Sequence, residues 1–208
     1  MKILAHRGYW KTEDDKNSII ALTRAFERGW GIETDIRDYM GKLVISHNPA
    51  DENSPILEEL LEIYNTLPIK PLLALNVKAD GLYLLLPEIM NRFGMKPEHY
   101  FLFDMSLPEQ YTYIDRGYRV FTRSSEFEPQ PAFIEQSDGF WLDQFIECDH
   151  IIGEIDNLLD TGKEICIVSP ELHGRSNAEL WDYLVKKKEL SSIYLCTDKP
   201  DEAEEYFK

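Results

Sequence analysis

Gly31-Ile32-Glu33-Thr34-Asp35-Ile36-Arg37-Asp38-Tyr39-Met40-Gly41-Lys42-Leu43-Val44-Ile45-Ser46-His47-Asn48 is the stretch from which the rest of the chain can be read. Its first half has the period of a strand. Glu33 and Asp35 fall on one face, and Ile32, Thr34 and Ile36 on the other. Two carboxylates side by side repel, so the arrangement is costly unless a cation or strong donors lie between them. A second short strand, Lys42–Ile45, then delivers His47.

Working outward, apolar runs of strand length alternate with helical patterns. Upstream, Ile3–Ala5 reads as a strand ending in His6-Arg7-Gly8. Ser18 then caps a helix through Arg28, with Ile19, Leu22, Ala25 and Phe26 on one face and Gly29 as its stop. Downstream, strands are predicted at Leu72–Lys78, Tyr100–Met105, Arg119–Arg123, Phe140–Phe145, Glu164–Ser169 and Ser192–Thr197. Helices are predicted at Ile56–Leu67, Gly81–Phe93, Pro108–Arg116, Ala132–Gln136, Ile151–Asp160, Asn177–Lys187 and Pro200–Phe207, with Pro87 marking a kink or a late start. Eight strand-then-helix units with apolar, parallel-type strands predict a single-domain α/β protein over residues 1–208. The expected form is a compact (β/α)8 TIM barrel more than an open doubly wound sheet. The GxGxxG and GxxxxGK[ST] phosphate loops are absent, which weakens a nucleotide-binding reading.

Composition sets further bounds. Hydrophobic residues make up 43% of the 208 and charged residues 29%, an ordinary globular balance. The net charge of -16 argues against nucleic acid and against a basic patch on an anionic membrane, since both need a positive footprint. No apolar run has the length of a membrane span. Met1-Lys2 passes at once into Ile3-Leu4-Ala5-His6, too short for the apolar part of a secretion signal, so a cytoplasmic protein is expected. Cys148, Cys166 and Cys196 read as small buried residues rather than disulfide partners or zinc ligands. Lys186-Lys187-Lys188 reads as a solvated helix end, and nothing in the sequence specifies an oligomer.

A barrel of this kind carries its site at the C-terminal ends of its strands. Those ends hold His6 and Arg7, Glu33 and Asp35, Asn76 and Lys78, Asp104, Arg123, Asp143, then Ser169, Glu171 and His173, and last Asp198. At 33, 35, 76 and 78 the polar residues interrupt the strand itself. Asp104 and Arg123 read as rim residues or a salt bridge, and Trp141 and Tyr194 as core. His173 either reaches a leaving group or lies in solvent, and Tyr9 and Trp10 are candidates to wall the pocket.

Several of these pieces together resemble the glycerophosphodiester phosphodiesterase family. They are His6-Arg7-Gly8, Asn17-Ser18 opening a helix with Ala25-Phe26, Ile32-Glu33-Thr34-Asp35, and Gly41 to His47. Leu75-Asn76-Val77-Lys78 is similar to the family's third-strand motif, and Thr197-Asp198-Lys199-Pro200 to its closing T-D-x-P. The likeness covers about the first 80 residues and the last dozen, and extends to the sphingomyelinase D-like phospholipases. It implies a barrel that cleaves a small phosphodiester with one divalent cation. Glu33, Asp35 and Asn76 would hold the metal, His6 and His47 would exchange protons, and Arg7 and Lys78 would bind phosphate oxygens.

Elementary chemistry agrees with that implication. Carboxylate oxygens suit Mg²⁺ or Ca²⁺ better than zinc, and imidazole is the group that gives and takes protons near neutral pH. The chain also departs from the family pattern. Asp15-Lys16-Asn17 stands where Pro-Glu-Asn is usual, His47-Asn48 where His-Asp is usual, and Asn76 where a third acid is expected. An amide oxygen brings no charge, so cation affinity should fall unless another carboxylate, such as Asp104, compensates. The competing expectations are a barrel that binds phosphodiesters without cleaving them and a lyase that stops at a cyclic phosphate.

Overall fold

A computed structural model describes residues 1–146, 149–187 and 191–208, so Cys148 and Lys188 lie outside the described residues. Eight parallel strands are ordered β5-β4-β2-β1-β9-β8-β7-β6. They are β1 (Lys2–His6), β2 (Gly31–Tyr39), β4 (Leu73–Val77), β5 (Tyr100–Phe103), β6 (Phe121–Ser124), β7 (Gly139–Leu142), β8 (Glu164–Val168) and β9 (Ile193–Thr197). The two ends meet where Leu102 bridges Val120 and its N–H donates to the Arg119 carbonyl at 2.9 Å. The result is a nearly closed parallel barrel ringed by helices, as expected of a TIM barrel. β3 (Lys42–Ile45) folds back antiparallel on the extended end of β2 through Met40 and Gly41, both at positive φ, a tight two-residue hairpin.

The helices form where caps and periodicity direct them. In α1 (Ile19–Glu27) the Ala21 N–H donates to the Ser18 hydroxyl, and Leu22, Ala25 and Phe26 face the sheet. α2 (Leu57–Thr66) follows β3. Pro87 marks a late start: a 3-10 turn over Leu82–Leu84 precedes α3 (Leu86–Arg92), which has the proline in its first turn. α4 (Leu107–Asp115), α5 (Asp149–Leu159), α6 (Ala178–Leu184) and α7 (Pro200–Tyr206) complete the ring. The helix predicted at Ala132–Gln136 is a correction. That segment forms turns, with the N–H groups of Gln136 and Ser137 both donating to the Phe133 carbonyl. Phe133, at a φ of +55°, is in the left-handed region and interrupts a regular turn of helix.

Alternation along each strand sends one set of side chains to the helices and the other into the barrel. Ile32, Ile36, Leu73, Leu75 and Leu102 belong to the outer set and pack with helical residues such as Leu22 and Tyr64. The inner set is aromatic and sulfur-rich: Leu4, Ala74, Phe101, Phe103, Phe121, Trp141, Cys166, Val168, Tyr194 and Cys196. Phe101 stacks on Phe121 at 3.9 Å and Phe103 on Trp141 at 3.8 Å. These rings plug the barrel below its upper end. Cys166 and Cys196 are buried and free. Gly31 has no room for a side chain, because a Cβ would meet the Leu4 side chain and the Leu72 carbonyl. Among the described residues no helix is long and apolar enough to cross a membrane.

Candidate active site

The inward set continues upward from the aromatic plug into polar residues. Leu4 is followed by His6, Gly31 by Glu33 and Asp35, Ala74 by Asn76 and Lys78, and Phe121 by Arg123. Trp141 is followed by Asp143 and Cys196 by Asp198. Two neighbours break the alternation and still reach the site. Arg7 and Asp104 follow inward residues and should face out, but each takes a positive φ, +55° and +68°, which swings its side chain back over the barrel mouth. The turn after Arg7 needs Gly8, whose φ is +88° and whose Cβ would strike the Ala21 backbone. The same turn carries Tyr9 and Trp10 away from the mouth, so neither walls the pocket. Tyr9 packs edge-on against Trp30 and donates to Asp201 at 2.8 Å, and Trp10 lies beneath the Lys16 ammonium.

A cavity of about 280 Å³ opens at this end. Six of the seven predicted site residues line it: His6, Arg7, Glu33, His47, Asn76 and Lys78. Asp35 lies just beneath, fully buried. It accepts a hydrogen bond from the Asn17 amide at 2.8 Å, and its carboxylate is 3.2 Å from Arg7 Nε and 3.5 Å from Lys78 Nζ. Asn17 in turn accepts from the Thr34 hydroxyl, so the outward face of β2 fixes the orientation of the inward Asp35. Asp35 and Asn76 are register partners on β2 and β4, as are His6 and Glu33 on β1 and β2.

Burial and the neighbouring Asp35 carboxylate push the Glu33 carboxyl up to about 7, against the opposing charges of His6, Arg7 and Lys78. In the cation-free protein, stability should therefore fall as pH rises from the ordinary carboxyl value towards 7. Over that range the folded chain retains a proton that the unfolded chain has released. The loss is complete above about 7. It is on the order of a few kcal/mol, or roughly 5–10 °C in Tm. Melts of chelator-treated protein between about pH 5 and 8 check this. The difference between the parent and Glu33→Gln isolates the effect, and the variant should lack the loss.

Glu33 Oε2, Asp35 Oδ1 and Asn76 Oδ1 are each buried without a hydrogen bond, although Lys78 Nζ stands 3.5 Å from Asp35 Oδ1 and His6 Nε2 3.8 Å from Glu33 Oε2. Buried acceptors left unmatched are costly, and an all-oxygen set is what a hard divalent cation takes. Among the described residues no group of three or more His, Cys, Asp and Glu is placed to hold a metal ion, so the set on offer is two carboxylates and one amide. Those residues fit Mg²⁺ or Ca²⁺. Asp104 lines the same cavity, but its oxygens face Lys78 at 3.3 Å and the Arg123 guanidinium, so it is engaged as a counter-ion.

The two predicted imidazoles differ in their support. His6 donates through Nδ1 to Asp198 Oδ1 at 2.6 Å, and its Nε2 is 3.8 Å from Glu33. Burial pushes the Asp198 carboxyl up. The His6 hydrogen bond and the charges of His6, Lys16 and Arg7 outweigh that and hold it below the usual carboxylate value. His47 is exposed, and among the described residues its ring is hydrogen-bonded only to the Asn48 amide oxygen, at 3.2 Å. Its loop is fixed by Arg37, which donates to the carbonyls of both His47 and Lys78 at 2.9 Å each. The partnership of Asp198 with His6 and the tethering by Arg37 were not read from the sequence. The available signal was barrel closure, which sets the last strand beside the first.

No protein-family model matches the chain, and no curated protein matches it. Solved structures do match. A glycerophosphodiester phosphodiesterase from Parabacteroides distasonis ATCC 8503 is 18% identical with a TM-score of 0.76, over 99% of this chain and 96% of that one. One from Agrobacterium tumefaciens str. C58 is 16% identical with a TM-score of 0.70, over 100% and 99%. A phosphodiesterase from Oleispira antarctica, in complex with its product sn-glycerol-3-phosphate, is 14% identical with a TM-score of 0.69, over 99% and 96%. At these identities the likeness shows the fold, end to end: this chain is built as those phosphodiesterases are.

Proposed function

We infer that the chain is a phosphoric diester hydrolase acting on a small glycerophosphodiester-type substrate. The observation that carries this reading is the set of three buried oxygens without hydrogen bonds on Glu33, Asp35 and Asn76, together with His6, Arg7 and Lys78 at the barrel mouth. The fold shared with glycerophosphodiester phosphodiesterases supports it. So does the glycerol phosphate held by the Oleispira antarctica protein.

In this reading Arg7 and Lys78, both held by Asp35, present positive charge to the phosphate oxygens. One of His6 and His47 takes the proton from the attacking oxygen, and the other gives a proton to the departing alcohol. Asp198 keeps the His6 ring in one orientation and supports its charged form. Glu33, Asp35 and Asn76 would hold a divalent cation, which would supply Lewis acidity at the phosphoryl group. Asp198→Asn should keep the ring but lower kcat about 10²-fold, the smaller end of what a positioned acid–base group supplies. Steady-state kinetics on the two proteins at matched Tm checks this.

The reading is tested by incubating the protein with a panel of glycerophosphodiesters and Mg²⁺, Ca²⁺ or Mn²⁺ and following phosphorus NMR. A phosphomonoester product is expected. A cyclic phosphate as the sole product would make the chain a lyase. Tight diester binding without turnover would make it a binding barrel.

A further inference from the structure

The cavity has two sides. His6, Arg7, Glu33, His47, Asn76 and Lys78 lie on the side of β1 to β4, and Asp104, Arg123, Asp143, Phe145 and His173 lie across from them. A diester centred on the first side has an arm to place on the second, and the proposal gives that place to the alcohol. We propose that Asp143, His173, Arg123 and Phe145 form a subsite for a polyhydroxylated alcohol, a polyol or sugar-like group, rather than for a quaternary ammonium alcohol or an acyl chain. The proposal rests on the phosphodiesterase reading above and names the class of its leaving group.

The subsite is built. Asp143 is 8% exposed. Its Oδ1 accepts from the Gln144 N–H at 2.7 Å and from His173 Nε2 at 2.8 Å, and neither bond uses Asp143 Oδ2 or His173 Nδ1. His173 rests against Phe145, with ring centroids 5.1 Å apart. The Arg123 guanidinium lies 5.9 Å from the same ring and is anchored by Asp104 and Glu128. An imidazole and a guanidinium thus lie against one aromatic ring, with a carboxylate bonded to the imidazole. A hydroxyl both donates and accepts, so several hydroxyls can satisfy such a set at once.

The alternatives fit less well. A trimethylammonium group needs free aromatic faces. Here Phe145 is met by His173 and by a guanidinium, and Trp141 is stacked on Phe103. An acyl chain needs more apolar space than about 280 Å³ shared with nine charged or imidazole side chains.

The test compares kcat/KM for sn-glycero-3-phosphoglycerol and sn-glycero-3-phosphocholine, with the full chain and Mg²⁺ or Ca²⁺. The glycerol ester should be preferred at least about tenfold, and Asp143→Ala should bring the ratio close to one by raising KM for the polyol ester about 10–100-fold. Asp143→Asn is the second variant should the alanine protein fold poorly. Equal or better turnover of the choline ester, or a ratio unmoved by both variants, would overturn the proposal while leaving the phosphodiesterase reading intact. Should neither ester be turned over, the hydrolase reading fails by itself. Calorimetric binding then decides the subsite: tighter binding of the polyol ester that Asp143 variants abolish sustains it, and equal affinities reject it.

Discussion

Asp35→Asn is expected to lower kcat/KM by about 10³–10⁴-fold while leaving the protein folded, because charge stabilisation of this kind supplies several kcal/mol at the transition state. The side chain is fully buried and touches three groups that matter: Asn17, which orients it, and Arg7 and Lys78, which it holds. Glu33 sits in the same face, already pushed up to about 7 by burial and by Asp35 itself. Asn76 adds an oxygen but no charge. Removing one of two carboxylates therefore removes half of the negative charge available to a cation. The asparagine keeps the shape and can still accept from Asn17. Either variant takes away the carboxylate beside Arg7, while Lys78 keeps Asp104; alanine also leaves the buried Asn17 amide without its acceptor, a further loss of about 1–3 kcal/mol. Calorimetric titration with Mg²⁺ and Ca²⁺ beside the kinetics separates the two effects. Wild-type turnover in Asp35→Asn would remove these oxygens from the reaction.

His6→Ala is expected to reduce kcat by about 10²–10⁴-fold, with KM changed far less. His6 is the imidazole with a short carboxylate partner, and it lies over Glu33 in the cavity. Its loss takes away a proton-transfer group and leaves Asp198 without its partner, which also costs about 1–3 kcal/mol of stability. His47→Ala removes a side chain that is exposed and held only by an amide. Its stability should hardly move, so any loss of turnover there reports chemistry. Activity unchanged by His6→Ala would sink the acid–base role outright.

The barrel rhythm and most of the site were legible in the chain because both are local patterns. Period-two alternation places Glu33 and Asp35 on one face whatever the neighbouring strands do, and Ser18 caps α1 by a bond within its own first turn. Ala132–Gln136 has a composition that permits a helix, and only the left-handed backbone at Phe133 rules it out. The sequence leaves Tyr9 and Trp10 open as pocket walls, and a positive φ at Arg7 and Gly8, which residue type alone does not announce, turns them away.

The sequence by itself determined which faces of the strands are polar and which residue types gather at their ends. Only the tertiary structure decided who partners whom. His6 and Asp198 are 192 residues apart and meet because β1 closes against β9. Asp143 and His173 meet across adjacent strand ends. Arg7 and Asp104 turn inward against the alternation. Alternation is a property of one strand, whereas closure joins strands from opposite ends of the chain. The face on which Glu33 lies follows from its own strand, but its raised carboxyl and the support given to His6 follow only from the closed barrel.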